Sequence, residues 1–122
     1  MNVGVIIVAA GRGVRFGTDT PKQYLRFAGR STLSYALRSF LDHPLVKRVI
    51  TVIHPDDEAV FRLSVSEYAP ELANGRLISA FGGATRQASV AQGLEVLAID
   101  QPDIVLVHDA ARSEERRVGK EC

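Results

Sequence analysis

The sequence predicts an α/β fold in which one parallel sheet carries helices on both faces. Three features carry that expectation: short runs rich in Val and Ile, helical apolar periodicity between them, and glycines placed directly after two of the runs. Strand, helix, strand in repetition requires crossover connections, which are right-handed within one sheet and leave the strands parallel. A chain of 122 residues can bury a core unaided as about one domain.

The elements follow in order. Val3 to Val8 is an unbroken apolar run and reads as a fully buried strand. "STLSYALRSFLDH" offers Ser31 or Thr32 as an N-cap, with Leu33, Leu37, Phe40 and Leu41 at helical spacing. Val46 to Ile53 reads as a second strand with Val49, Ile50, Val52 and Ile53 in the core. Pro55, followed by Asp56, Asp57 and Glu58, gives a proline start and an acidic first turn to the next helix. A short strand is expected over Leu77 to Phe81. "TRQASVAQGLEVLAI" is expected to be a helix whose buried face carries Ala88, Ala91, Leu94 and Leu97 or Ala98. Ile104 to Val107 is expected to be a final buried strand, completing a Rossmann-like arrangement.

Composition narrows the function. Apolar residues make up 46% and charged residues 24%, ordinary for a soluble globular protein. No run approaches the eighteen or so apolar residues of a membrane span, and the N-terminus has no basic region with a cleavage site, so the expectation is a cytoplasmic protein with no membrane partner. Formal net charge is +1 with the signs interspersed, leaving no footprint for nucleic acid. The single cysteine, Cys122, excludes an intramolecular disulfide or a thiolate zinc site. His43, His54 and His108 lack ligand spacing and read as ordinary polar residues.

Residues 112–122, "RSEERRVGKEC", carry no apolar period although they follow a strand-like run. The string equals the in-frame translation of a common sequencing adapter. It is therefore expected to be a non-native charged tail on a chain truncated at its C-terminus, with no chemical role for Cys122.

The loop after the first strand is the chemically informative stretch. "VAAGRGVRFGTDTPKQYL" places Gly11, Gly13 and Gly17 where the chain leaves the carboxyl edge of the sheet, the edge where open α/β sheets bind ligands. Glycines there expose backbone N–H groups, which with cationic side chains can cradle phosphate oxygens. The spacing G-x-G-x-x-x-G is one residue off the dinucleotide fingerprint, and no glycine is followed by Lys and then Ser or Thr, so neither a nicotinamide site nor a Walker loop fits. Arg12, Arg15 and Lys22 remain, with Pro21 limiting where Lys22 can point. Read alone, the loop is equally compatible with solvated surface cations. Two more segments converge on the same edge. "GGATRQASV" places Gly82 and Gly83 after the third strand, with Ser89 in the helix that follows, and "VHDAAR" places Asp109 just past the fourth.

Taken together, "AAGRGVRF…PKQYL", "GG..R..SV..GL" and "VHDAAR" resemble the cytidylyltransferases that act on 2-C-methyl-D-erythritol 4-phosphate in non-mevalonate isoprenoid biosynthesis. The resemblance covers Val3 to about Arg112 and implies a nucleotidyltransferase-type fold, with residues 1–111 as the N-terminal part of the domain. It implies that Arg15 and Lys22 are catalytic and stabilise the transition state at the α-phosphate. Ala9, Ala10, Gly11 and Gly13, with Lys22, would hold the nucleotide, while Gly82, Gly83 and Ser89 would contact cytosine and ribose. Asp109 and Ala110 would lie at the nucleotide and acceptor, and Arg112 at the acceptor phosphate. Some members carry an acid where this chain has Ala84, so any base contact there would come from backbone. The implied partners are CTP and a polyol phosphate, with Mg²⁺ bound mainly through the CTP phosphates, and the parent is expected to be a homodimer. The competing readings are CMP transfer to another polyol phosphate, such as ribitol 5-phosphate, and an inactive nucleotide-binding fragment.

Overall fold

Seven consecutive buried residues, VGVIIVA, form β1 (Val3–Ala9), the strand around which everything else is arranged. In the computed structural model residues 2–10, 26–27 and 30–110 are described. A two-residue hairpin, β2 (Arg26–Phe27) and β3 (Arg30–Ser31), precedes α1 (Thr32–Leu41). Then come β4 (Val46–Ile53), α2 (Glu58–Ser64), α3 (Ala69–Ala73), β5 (Leu77–Phe81), α4 (Arg86–Leu97) and β6 (Ile104–Asp109).

The four long strands form one parallel sheet in the order β5-β4-β1-β6. The first three step away from β1 in one direction, and β6 returns to its opposite side. The switch in direction therefore falls between β1 and β6, the position at which open α/β sheets leave a crevice beyond the carboxyl ends of their strands.

Alternation along β1 divides the core in two. Val3, Val5, Ile7 and Ala9 pack under α1 through Leu33, Leu37 and Leu41, with Phe61, Val65 and Tyr68 alongside. Ile6, Val8 and Ala10 face Leu97 of α4, with Val90 and Val96 packed against them. Helices on both faces are thus present, as the sequence predicts. The Tyr68 hydroxyl donates to the Ser34 carbonyl at 3.0 Å, tying the turn before α3 to α1.

Two expectations need correction. The buried residues of α4 are Ser89, Gly93 and Leu97, whereas Ala91 is exposed and Leu94 is 45% exposed. The helix approaches the sheet through its small residues: a Cβ at Gly93 would come within 2.9 Å of Ile6 Cγ2. Close packing of a glycine outweighs the larger apolar surface of Leu94. The last strand is also not buried. It extends two residues further than expected, to Asp109, and as an edge strand it leaves Ile104, Leu106 and Val107 each about two-fifths exposed. The hairpin and α3 are additions to the predicted elements.

At the N-terminal end of the sheet, charged side chains fasten the loops. The Arg48 guanidinium donates to both carboxylate oxygens of Asp100, from Nη2 at 3.0 Å and from Nε, and to the Gly75 carbonyl. The Asp100 side chain is only 7% exposed. The hydrogen bond from Arg48 holds its carboxyl below the usual carboxylate range, burial pulls the other way, and the charges of Arg48 and Lys47 add to the lowering. The same bond raises Arg48 above its ordinary value. Gly75 takes a positive φ of 83° in this turn, which a side chain would strain.

Candidate active site

At the carboxyl end of the sheet three strand ends meet. β4 stops at Ile53, whose carbonyl accepts the Gly82 N–H at 2.8 Å, so the parallel ladder with β5 runs on one residue past Phe81. There Gly82 meets Ala10. A Cβ built on Gly82 would lie 2.6 Å from Ala10 Cβ, 2.5 Å from Ser89 Oγ and 3.0 Å from Val52 Cγ1. These are closer than real side-chain contacts, so only glycine allows the junction. Gly83 is exposed but meets its own helix, since its Cβ would fall 2.5 Å from Ala88 Cβ. The second glycine therefore lets the chain turn directly into α4.

The helix is capped at its N-terminus. Thr85, extended at φ −124° and ψ 167°, accepts the Ala88 N–H through its hydroxyl at 3.0 Å. One turn into α4, Ser89 is 2% exposed, with its hydroxyl beside the Gly82 position. Across β1, Asp109 pairs in register with Val8 and is partly buried, and Ala110 is fully buried under the α1 face. Ala9 and Ala10 lie between the two groups, both buried.

The structure thus brings Ala10, Gly82, Gly83 and Ser89 into one junction, and the register sets Asp109 and Ala110 beside the end of β1. Gly11, Gly13, Arg15, Lys22 and Arg112 lie outside the described residues. The residue that follows Ile53 on the same rim, His54, reads in the sequence as an ordinary polar residue. His54 holds its Nδ1 3.0 Å from the Asp56 N–H and caps the turn Pro55–Asp57.

The described rim carries Ala9, Ala10, Gly82, Gly83 and Ser89, with His54 after β4 and Asp109 at the end of β6, and among the described residues no group of three or more His, Cys, Asp or Glu is placed to hold a metal ion. A divalent ion that takes most of its ligands from phosphate and water fits such a rim, with Asp109 as a nearby carboxylate. No helix among the described residues is long and apolar enough to cross a membrane.

Comparison with known proteins agrees with the motifs. The sequence profile of the family IspD, 2-C-methyl-D-erythritol 4-phosphate cytidylyltransferase, matches residues 3–118. A protein of Nitrobacter hamburgensis named bifunctional enzyme IspD/IspF is 55% identical over 109 residues, which are 88% of this chain and 25% of that one. One of the same name from a Bradyrhizobium species is 52% identical over 107 residues, 88% of this chain and 26% of that one. Among solved structures, 4-diphosphocytidyl-2C-methyl-D-erythritol synthase of Anaerococcus prevotii superposes with a TM-score of 0.71 at 30% identity, covering 91% of this chain and 44% of that one. The 2-C-methyl-D-erythritol 4-phosphate cytidylyltransferase of Francisella tularensis gives 0.67 at 34% identity, covering 91% and 45%. The chain spans about a quarter of the length of these curated relatives and under half of the solved chains. On the strength of a profile match over nearly its whole length, together with this rim, the chain belongs to the 2-C-methyl-D-erythritol 4-phosphate cytidylyltransferase family.

Proposed function

We propose that the complete protein transfers CMP from CTP to 2-C-methyl-D-erythritol 4-phosphate, releasing pyrophosphate, as a step of isoprenoid biosynthesis in the cytoplasm. The observation that carries this reading is the family match over residues 3–118. In the reaction, a phosphate oxygen of the acceptor attacks the α-phosphorus of CTP and pyrophosphate leaves in line. The attacking oxygen is already anionic, so no general base is required, and catalysis rests on positioning and on stabilising the charge that builds at phosphorus.

The chain's own residues divide that task. The backbone of Ala9, Ala10, Gly11 and Gly13 cradles the phosphates, and Gly82, Gly83 and Ser89 hold the cytidine. Asp109 and Ala110 lie where nucleotide and acceptor meet, and Arg112 binds the acceptor phosphate. Arg15 and Lys22 act on the transition-state charge, each contributing about 3 kcal/mol by analogy with an oxyanion donor. Mg²⁺, when bound, supplies charge neutralisation on the triphosphate, held mostly by phosphate oxygens and water. The parent is read as a homodimer. The relatives at 52–55% identity are named for two activities, which favours a parent that also carries an IspF portion.

The test is to offer the complete protein CTP and Mg²⁺ with either methylerythritol phosphate or ribitol 5-phosphate, and to follow pyrophosphate release. Turnover only with the first supports the reading. Preference for ribitol 5-phosphate replaces it with the polyol-phosphate alternative, and binding of CTP without product reduces the protein to a nucleotide-binding one. Lys22→Ala and Arg15→Ala should lower kcat by about a hundredfold with little change in CTP affinity.

A further inference from the structure

Helix α4 comes down on β1 through one stripe of residues. A Cβ at Gly4 would lie 3.0 Å from the Leu97 side chain, one at Gly93 would lie 2.9 Å from Ile6, and one at Gly82 would meet both Ser89 Oγ and Ala10 Cβ. Leu97, Gly93 and Ser89 therefore climb the strand from Gly4 to Ala10, and Val90 packs on the same face. Residues three and four apart share a helix face, so Arg86, three before Ser89 and four before Val90, lies on that stripe one turn further up. β1 ends at Ala9. Arg86 is thus placed past the end of the strand, on the face that holds the Gly82 junction, and helical side chains lean toward the helix N-terminus, here outward over the rim.

Arg86 is the first residue of α4, is exposed, and makes no hydrogen bond or ion pair among the described residues. The first turn of α4 contains no acid, so nothing there offsets a cation that the helix dipole opposes. One turn below, Ser89 is 2% exposed with its Oγ turned to the Gly82 position, and its hydroxyl also has no hydrogen-bond partner among the described residues. A cation and a buried hydroxyl without partners therefore flank one turn of the rim. In the proposed nucleotide, cytosine and ribose are neutral, and only the phosphates supply the charge that a guanidinium at a helix N-terminus lacks.

We propose that Arg86 is a ligand-contacting residue of this site, its guanidinium binding phosphate oxygens of the bound CTP. The proposal rests on the nucleotidyltransferase reading above. The competing role for Arg86 is that of a solvated surface cation.

In the complete protein, Arg86→Gln should melt at or slightly above wild type, because it removes a charge that the helix dipole opposes. CTP binding should nevertheless weaken about tenfold, with cytidine binding unchanged. Arg86→Lys keeps the charge and should bind CTP within about threefold of wild type. CTP affinity at the wild-type level in Arg86→Gln would overturn the proposal, as would equal loss of CTP and cytidine binding, or a loss that lysine does not restore. Should Arg86→Gln fail to fold, Arg86→Glu takes its place, since an acid suits the first turn of a helix: weaker binding of CTP but not of cytidine supports the contact, and unchanged CTP binding overturns it. A wild-type protein that binds CTP but forms no product defeats the cytidylyltransferase reading and leaves this binding comparison decisive. Product formation by wild type, with unchanged CTP affinity in Arg86→Gln, defeats the proposal alone.

Discussion

At the N-terminal end of the sheet, Arg48 reaches from β4 to Asp100 and Gly75, Asn2 donates its backbone N–H to Asp103 at 2.8 Å and its side-chain amide to the Asp100 carbonyl at 3.0 Å, and Arg76 donates to the Val46 carbonyl at 3.0 Å. At the C-terminal end, one backbone hydrogen bond from Gly82 to Ile53 and the contact of Ala10, Ser89 and Gly82 do the equivalent fastening. Long charged side chains close the first rim by filling the space above it. The described part of the second is lined by small residues, Ala9, Ala10, Gly82, Gly83 and Ser89, at the edge where open α/β sheets bind ligands. Among the described residues the sheet therefore has one end fastened by charged side chains, the sealed end, and one lined by small residues, where the proposed site lies.

The sharpest way to break that contrast is at Gly82. Gly82→Ala inserts a methyl where Ser89 Oγ and Ala10 Cβ already stand within 2.6 Å, so the turn must shift. Steady-state kinetics of the complete protein should give kcat/KM for CTP about a hundredfold lower, with a loss of roughly 1–3 kcal/mol of stability. Activity near wild type would mean that the close approach is incidental to binding. The opposite rim should behave the other way. Arg48→Met leaves the Asp100 carboxylate without its guanidinium and should cost about 2–3 kcal/mol in denaturant unfolding. KM for CTP should stay within about twofold, since the pair sits at the far end of the strands. A raised KM there would dissolve the division between the two ends.

Legibility in the sequence follows the same division. β4 and β5 were readable to the residue, because runs such as "VKRVITVI" and "LISAF" have their periodicity written locally. Gly82 and Gly83 were readable as a turn beside a ligand edge, since paired glycines after a strand have few other uses. The Arg48–Asp100 pair was not readable, because it joins residues 52 apart through a sheet register that only the fold supplies. The face of α4 was misread for a related reason. Apolar counting favours Ala91 and Leu94, but the helix sits where a glycine admits Ile6. Gly93→Ala tests that: higher helix propensity should gain up to about 1 kcal/mol, while the 2.9 Å approach to Ile6 Cγ2 costs more, for a net loss of about 1 kcal/mol. A stabilised variant would place the packing elsewhere.

The smallest expected effect concerns pH and belongs wholly to the sealed end. Because Arg48 lowers the Asp100 carboxyl below its ordinary range, folding binds fewer protons at this group than the unfolded chain does. The group's contribution to stability is then complete above the unfolded value, about 4, and fades as pH falls through the lower folded value. Arg48 itself stays charged throughout that interval, its own shift being upward from an already high value. In Arg48→Met, burial is no longer offset by the guanidinium and raises the Asp100 carboxyl, so the stability gap between the two proteins should be widest at neutral pH and narrow as pH falls, beginning above about 4 and continuing below it. Denaturant titrations of the two proteins across that interval measure the gap directly. A gap that stays constant or widens in acid would mean that the guanidinium supports the rim through its bond to the Gly75 carbonyl, with the Asp100 charge contributing nothing.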